Sequence, residues 1–590
     1  MAEIVAELLD ERASVHGEVP ALVGKRDGRW HTLTWREYRD TAHRVARGLM
    51  ALGVEPGSGV AIMGYNRPEW LLADVGAIVA GGVPTGIYTN LTPEQVGYVV
   101  GHCDARVAVV ENAEYLGKLL AVRGELPELR AIVLMDGEGS GDDGVISWRE
   151  LLDRGETVPD AELASRIAHQ RPDDLCTLIY TSGTTGPPKG VMLSHRNLLW
   201  TAAAVREAFD FPAGHVVISY LPLSHSAEQM VSIYIPMTLG LTTQFAESLE
   251  KLPENLREIR PHTFFAVPRV WEKIQAAIQE AGAKNPPLKK KIAAWARRVG
   301  LEGGYAEQRG ENKPWTWPIA DRLVFSKVRQ RIGLDRAGVC ATGAAPIALD
   351  TTEFFLSLGI PIYEFYGLSE TSAPATLSKM DRYRTGRAGY PIPGTEMRIA
   401  GDGEILIRGP HVFLGYYKDP EATAEVLDED GWFQSGDVGE IDHEGFLRIT
   451  DRKKEILVTS GGKNVAPAPI EAKLKGLPAV EQAVVIGDRR KYLAALLTLE
   501  PARAVAEAAA AGSPARSPAE LAACPVFRAH LERQVERVNQ TLARYETIKT
   551  FRVLPDAFSV EGGELTPTLK LKRRVIDEKY GEEIESLYAA

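Results

Sequence analysis

Residues 180–190 of this chain read YTSGTTGPPKG and directly follow the apolar run LCTLIY at 175–180. An apolar run of that length, bounded by a glycine-bearing turn, reads as a buried strand, so the chain must build a sheet in which one strand ends in a polar loop. The glycines let backbone N–H groups come close to a polyphosphate, because no Cβ stands in the way. Thr181, Ser182, Thr184 and Thr185 add hydroxyl donors, and Lys189 adds a positive charge for terminal phosphates. The order differs from a Walker A loop, which needs Gly-Lys-Ser/Thr; here Lys189 precedes Gly190 and Val191. A plain polar turn is the alternative, and the density of hydroxyls at a strand end argues against it.

Strand-like runs at 60–63, 107–110, 131–135 and 216–219 alternate with helical patterns. That alternation predicts an α/β fold with largely parallel sheets. The apolar stretch 71–87 is broken by Asp74, four glycines and Pro84, so it predicts a buried helix and loop rather than a membrane span. Composition shifts near Asp451: the run DRKKEILVTSGGKNVAPAP is followed by strand-like 479–486 and 493–499, an alanine-rich helical stretch at 502–511 and a loop at 512–518. We expect a large domain over 1–451 and a small α+β domain over 452–590.

The 590 residues have room for two to four domains, and 45% hydrophobic with 25% charged residues suits a globular chain with sizeable cores. A net charge of −11 gives no electrostatic case for nucleic acid. Cys103, Cys176, Cys340 and Cys524 lack CxxC spacing, which fits a reducing cytoplasm and neither a disulfide framework nor a zinc site. The N-terminal MAEIVAELLDER reads as an acidic amphipathic helix, not a secretory signal. GSGDDG at 139–144 is formally GxGxxG, but Asp142 and Asp143 would repel a pyrophosphate, and a solvated loop is the better reading.

Three further segments carry candidate chemistry. In IYEFYGLSET (362–371) a carboxylate, Glu370, would repel a neighbouring polyphosphate unless a divalent cation lay between, which makes it a candidate Mg²⁺ ligand. Ser369 can donate to a phosphate and the Tyr366 ring offers a face to a base; a helix N-cap at Ser369 is the alternative. In GWFQSGDVGEID (431–442) Asp437 is a two-oxygen acceptor suited to a vicinal diol, or else a turn aspartate. In LTPTLKLKRR (565–574) Lys570 stands among Lys572, Arg573 and Arg574, for which a solvated basic tail is the plain alternative.

These motifs, in this order from Thr181 to Lys570, resemble those of the adenylate-forming (AMP-binding) enzymes, and within them the long-chain acyl-CoA synthetases. SYLPLSHSAEQ (219–229), VPRVWEKI (267–274), LVFSKVRQRIGLD (323–335) and GGKNVAPAPIE (461–471) are nearest the bubblegum-type, very-long-chain branch. The resemblance implies a large adenylation domain and a small mobile C-terminal domain. It implies ATP bound against Thr181, Ser182, Gly183, Thr184, Thr185, Gly186, Pro187, Pro188 and Lys189. The small-residue turn Gly343, Ala344 and Ala345 and the segment Glu364, Phe365, Tyr366, Gly367, Leu368, Ser369 and Glu370 complete that site, with Asp437 and Arg452 on ribose. Lys570, Glu370, Thr184 and His225 are its implied catalytic residues, Glu370 its Mg²⁺ ligand, Lys454 its hinge, Gly461, Gly462 and Lys463 its CoA-facing segment, and Trp271 a gate to the acyl tunnel. The implied activity is ATP-dependent activation of a long-chain fatty acid through acyl-AMP, with transfer to CoA. Loading of a carrier protein, an inactive adenylate-binding scaffold and luciferase-like oxidation are the competing readings.

One segment stands outside these motifs. In KNPPLKKKIAAWARRVG (284–300) Leu288, Ile292, Trp295 and Val299 share a helical face, flanked by Lys289, Lys290, Lys291, Arg297 and Arg298. Such a helix can lie in a bilayer interface, giving peripheral membrane contact, or can pack on the core as an ordinary surface helix.

Overall fold

The apolar runs read from the sequence are strands in the computed structural model, which describes residues 2–139, 144–181, 187–209, 211–461, 463–566 and 570–589. Most of the loop GSGDDG lies outside those residues. The chain divides into two compact units: 1–345, 349–398 and 406–434 form the first, and 346–348, 399–405 and 435–590 the second. Asp437 and Arg452 therefore both belong to the second unit, on either side of the expected break at 451/452.

Two large sheets organise the first unit. In the eight-stranded sheet the order is Gly415–Tyr416, Lys189–Ser194, Leu175–Thr181, Val83–Ile87, Gly59–Met63, Ala105–Val110, Ala131–Leu134 and Val145–Ser147. From Leu175–Thr181 to Val145–Ser147 every neighbour runs parallel, whereas Lys189–Ser194 and Gly415–Tyr416 are added antiparallel at one edge. A seven-stranded sheet, in the order Ile362–Glu364, Val339–Thr342, Thr263–Ala266, Val216–Ser219, Thr242–Phe245, Pro20–Arg26 and Arg29–Thr34, is parallel except for its last hairpin. Both sheets are covered by helices, which is why their strands read as nearly unbroken apolar runs.

The stretch 71–87 corrects one expectation. Its first part is the buried helix Pro68–Val79, as predicted, but Val83–Ile87 is a fully buried strand in the middle of the sheet, not a loop. Pro84 is tolerated because this strand meets Leu175–Thr181 at a single register pair, Thr85 with Leu178, so few ladder N–H groups are required there.

The strand Lys189–Ser194 runs straight into the helix His195–Ala208 through a capping box. Ser194 Oγ accepts from Asn197 N at 3.1 Å and Asn197 Oδ1 accepts from Ser194 N at 2.8 Å. A cap of this kind contributes about 1 kcal/mol. The Asn197 amide then donates to the carbonyls of Pro410 (2.7 Å) and Val412 (3.0 Å), which fastens the segment leading into Gly415–Tyr416.

The second unit holds the three-stranded sheet Val480–Ile486, Leu493–Leu499 and Ile548–Val553 with helices on both faces, close to the strands and helix read at 479–511. Cys103, Cys176 and Cys340 are buried, Cys524 is half-buried, and all four are free thiols. Among the described residues no helix is long and apolar enough to cross a membrane.

One buried charge stands out in the helix Pro68–Val79. Asp74 is fully buried and neither carboxylate oxygen has a hydrogen-bond partner among the described residues. Burial pushes its carboxyl up from 3.8 to about 8. The folded state thus holds a proton that the unfolded chain has released by neutral pH, so this group's contribution is full below the unfolded value and lost as pH rises toward 8. Asp74→Asn is expected to melt higher than the parent at pH 8, by about 1 °C per kcal/mol relieved, with the gap closing toward pH 5. Thermal melts across that range check it; equal melting at every pH would show that the carboxyl ionises freely in place.

Candidate active site

The phosphate-loop candidates hang from one hairpin. Thr181 faces Lys189 and Tyr180 faces Gly190 across the antiparallel pair Leu175–Thr181 and Lys189–Ser194. Ser182, Gly183, Thr184, Thr185 and Gly186 lie outside the described residues. The far side of the loop is held by Tyr98, whose hydroxyl donates to Pro188 O at 3.1 Å, and by Tyr417 N, which donates to Gly190 O at 2.8 Å. Pro187 is exposed at the start of this return.

Lys189 and Glu370 converge on a residue that the sequence did not single out. Tyr416 pairs opposite Val191 in the edge strand, which brings its ring 4.8 Å from Lys189 Nζ. Its hydroxyl donates to Glu370 Oε1 at 2.8 Å. Burial, then the neighbouring Glu370 charge, pushes the Tyr416 phenol far up, so it stays a donor. Phe413 N donates to Glu370 O at 2.9 Å and fixes the backbone at that point. No sequence spacing announces Tyr416, because its place depends on a two-residue strand pairing with a distant one.

The segment around Glu370 is tightly built. Ile362–Glu364 and Tyr366–Leu368 are short strands, and Ser369–Thr371 is a 3-10 turn. A Cβ on Gly367 would lie 1.6 Å from Ala373 O, so only glycine fits. Leu368 N donates to Thr371 Oγ1 at 2.9 Å. Ser372 and Ala373 take left-handed φ of 53° and 79°, and Ala344, in the turn Gly343–Ala344–Ala345, takes 67°. Non-glycine residues in that region store strain of about 1 kcal/mol or more, which clusters at functional sites. Phe365 N donates to Thr342 O at 2.9 Å, so the small-residue turn and the strand bearing Tyr366 lie side by side. Burial pushes the Glu364 carboxyl up to about 7, and its Oε1 accepts from Gly386 N at 2.7 Å.

Ser369 connects this segment to the one bearing His225. Ser369 Oγ and Ser226 Oγ share a hydrogen bond of 3.1 Å, and both residues are buried. His225 caps the turn Ser226–Gln229, its Nδ1 accepting from Ala227 N at 3.2 Å, which leaves Nε2 as the protonated nitrogen of the neutral ring. Trp271 is fully buried, edge-on between Phe264 and Phe355, with its indole N–H on Ala341 O at 3.2 Å.

The remaining candidates belong to the second unit. Asp437 and Arg452 are cross-strand neighbours in the hairpin Phe433–Ile441 and Leu447–Arg452, with Arg452 Nε 3.3 Å from the nearly buried Asp437 Oδ1. Lys454 is exposed on the turn Lys453–Glu455, and its neighbour Lys453 pairs with Asp402 (2.6 Å) and Glu404 (2.8 Å). Gly461 and Lys463 are exposed at the tip of the small hairpin Leu457–Val458 and Asn464–Val465; Gly462 lies outside the described residues. Lys570 N donates to Thr566 Oγ1 at 3.0 Å and Lys570 O accepts from Thr566 N at 2.8 Å, closing a loop whose residues 567–569 are likewise outside the described ones.

The basic-tail alternative for the C-terminal run fails at Arg573. Its guanidinium is buried, with Nη2 2.7 Å from both Glu471 oxygens and Nε 3.2 Å from Glu455 Oε2. It ties the turn beside Lys454 to the helix that begins three residues after Lys570. The sequence hid this because both partners are distant acids, invisible to a local charge pattern.

Comparison with known proteins agrees with this arrangement. The family model described as AMP-binding enzyme matches residues 9–417, and that of the AMP-binding enzyme C-terminal domain matches 454–590. The long-chain-fatty-acid–CoA ligase ACSBG2 of Xenopus laevis is 42% identical over 99% of this chain and 83% of its own length. The human protein of the same name is 38% identical over 99% of this chain and 92% of its own. Among solved structures, the adenylation domain of a carboxylate reductase from Mycobacterium chelonae superposes with a TM-score of 0.76 at 24% identity, covering 100% of this chain and 91% of that one, which establishes the shared fold. With family models spanning most of its length and relatives of this identity over nearly all of it, the chain belongs to the AMP-binding, adenylate-forming enzyme family.

Proposed function

We propose that this protein is an ATP-dependent ligase that activates long-chain fatty acids as acyl-AMP and transfers the acyl group to CoA. The observation that carries the reading is the convergence of Lys189 and Glu370 on Tyr416, beside the hydroxyl-rich loop, in a chain whose relatives are named long-chain-fatty-acid–CoA ligases.

A carboxylate is a poor acyl donor because its leaving group would be oxide. Attack of a carboxylate oxygen on the α-phosphorus of ATP expels pyrophosphate and gives acyl-AMP. The CoA thiolate then attacks the acyl carbon, AMP leaves, and a thioester remains. The first step brings two anions together, so the protein's task is positioning and charge stabilisation. Thr184, Thr185 and Lys189 hold the β- and γ-phosphates. Ser369 donates near the α-phosphate, Tyr366 faces adenine, and Gly343, Ala344 and Ala345 line its edge. Asp437, with Arg452 beside it, accepts the ribose hydroxyls. Lys570 bridges the fatty carboxylate and the α-phosphate, His225 stands by the reacting groups, and Trp271 borders the acyl chain.

Glu370 suits Mg²⁺. Tyr416 occupies only its Oε1, and the second oxygen has no hydrogen-bond partner among the described residues. A single carboxylate completed by phosphate oxygens is the usual way such sites hold this hard cation, which when bound neutralises phosphate charge. The domain over 452–590 carries both Lys570 and the segment Gly461, Gly462 and Lys463. We assign Lys570 to the first half-reaction and that segment to the pantetheine arm in the second, with Lys454 at the hinge between them.

The partner surface for an insoluble substrate follows from the helix Pro287–Gln308. Its apolar face is graded: Val299 and Ala296 are buried in the fold, Trp295 is half-buried, Ile292 is 37% exposed and Leu288 70%. The four apolar residues thus do not form one free stripe, and only the first two turns are available. Arg297 is committed to Ser357 and the Phe354 ring, and Lys284 to Glu280. Lys289, Lys290, Lys291 and Arg298 are exposed with no ion-pair partner among the described residues. Four uncommitted cations around two exposed aliphatic side chains, in a chain of net charge −11, are complementary to an anionic lipid surface, at about 1 kcal/mol for each basic group near the headgroups.

Purified protein with MgATP and palmitate is expected to release pyrophosphate, and to release AMP only when CoA is added; AMP release requiring a carrier protein instead would reassign the acceptor. Lys570→Ala is expected to lower pyrophosphate formation by about 100-fold or more while thioester formation from supplied acyl-AMP stays within about threefold of the parent; equal loss in both half-reactions would remove Lys570 from the first. Flotation with vesicles containing phosphatidylserine is expected to carry the protein upward, neutral phosphatidylcholine vesicles are not, and reversing Lys289, Lys290 and Lys291 to Glu should abolish the difference. Flotation independent of lipid charge would rule out this face.

A further inference from the structure

A carboxylate with no cationic partner among the described residues is buried next to the segment carrying His225. Glu228, in the turn Ser226–Gln229, is 1% exposed. Its Oε1 accepts from Ser219 Oγ (2.7 Å), Ser232 Oγ (2.7 Å), Tyr220 N (3.1 Å) and Asn66 Nδ2 (3.2 Å). The Leu221 peptide N–H is a further donor. The Asn66 amide also donates to Ser219 Oγ at 2.8 Å and Leu221 O at 2.7 Å.

One acid therefore gathers four segments: the end of the strand Val216–Ser219, the loop 220–225, the π-helical turn Met230–Tyr234, and the loop after Gly59–Met63. Every one of these donors is neutral, and burial pushes the carboxyl up to about 7. An apolar side chain of similar volume would spare that desolvation but leave the donors around it without their acceptor. The acid is therefore tied to the geometry of the segments it collects, and what it secures is a loop held in one arrangement. What the loop and turn present is His225, and Ser226 bonded to Ser369. The π-helical turn that follows is itself a feature concentrated at functional sites.

We propose that Glu228 is a positioning residue for acyl-adenylate formation: by fixing the loop 220–225 and the turn after it, it sets His225 against the reacting carboxylate and α-phosphate. The proposal rests on the ligase reading above. If Glu228 acts this way, its loss degrades the first half-reaction, spares the second, and has no effect once His225 is gone.

Glu228→Gln tests it, because the amide keeps the volume and one acceptor oxygen while removing the charge that strengthens the bonds converging on Oε1. In ATP–pyrophosphate exchange driven by palmitate, kcat is expected to fall about tenfold or more, with KM for ATP and palmitate within about twofold. Thioester formation from supplied acyl-AMP should match the parent, and the melting temperature should hold. The double variant His225→Ala/Glu228→Gln should be no slower than His225→Ala alone. Unchanged exchange in a folded Glu228→Gln protein, equal loss in both half-reactions, or multiplicative losses in the double variant would each overturn the proposal. If Glu228→Gln fails to fold, Ser232→Ala, which removes one donor from the same oxygen, is read in the same assays; a smaller fall in exchange with unchanged KM supports the proposal and no fall refutes it. A parent protein inactive in exchange would fail the ligase reading itself, and is distinguished by being measured first.

Discussion

A polyanion is held only where positive charge and donors outweigh negative charge, and in the proposed site the pairing of Leu175–Thr181 with Lys189–Ser194 is the constraint on which that depends. The register that sets Thr181 opposite Lys189 returns the chain to the sheet at the residue carrying the cation. A slip of one residue would turn Lys189 to the other face of the sheet. The same strand receives Gly415–Tyr416 on its outer edge, so a single register fixes three things: where the loop begins, where Lys189 stands, and which side chain separates Lys189 from Glu370. Tyr416 offers its ring face to the cation and its hydroxyl to the carboxylate. Each charge thus has Tyr416 as a neighbour, the ring for the cation and the hydroxyl for the carboxylate, an arrangement compatible with the proposed phosphate and Mg²⁺ roles.

The second unit uses ion pairs for a different purpose. Asp437 and Arg452 are distant in sequence but meet across one hairpin, so a two-strand register again creates the neighbour relation. Arg573 joins Glu455, beside the candidate hinge, to Glu471, whose Oε1 also accepts from Val485 N at 2.7 Å. Bidentate geometry makes Arg the residue for a buried pair of this kind, and a lysine could not reproduce the fork. The chain just after Lys570 is thereby bound to the turn just after Arg452. Separating one of these segments from the other would break partly buried charge-assisted bonds, so they are held together as one piece.

Much of this was legible in the sequence, for reasons that are local. Buried strands announce themselves as apolar runs, and those at 60–63, 107–110, 131–135, 216–219 and 493–499 lie within or beside observed strands. The helix at 284–300 was visible from its spacing, although its apolar face proved to be half consumed by packing. What escaped was non-local. Pro84 marked 83–87 as a loop, and only the sparse pairing with Leu175–Thr181 shows why a proline is tolerated there. Tyr416 looked like any tyrosine until a two-residue strand placed it. Arg573 looked like surface charge because its partners, Glu455 and Glu471, are remote along the chain. Glu228 sat in view within SYLPLSHSAEQ, where the neighbouring histidine drew the attention.

Asp74 and Glu228 show how the fold treats buried acids differently. Both are fully enclosed, so depth does not separate them. Asp74 has no donor on either oxygen among the described residues and its carboxyl is pushed from 3.8 to about 8; Glu228 has several neutral donors and is pushed from 4.5 to about 7. Hydrogen bonds to the charged form oppose desolvation and explain the smaller displacement. They recover only part of the lost hydration, since among the described residues no cation accompanies them. Burial thus favours the protonated form of Asp74, whose oxygens have no donor to lose. Glu228, whose carboxyl is displaced less, holds its donors in place at a standing desolvation cost. A fold retains such a cost where geometry is worth more than stability, and the segment it holds leads from the large sheet to His225 and Ser369.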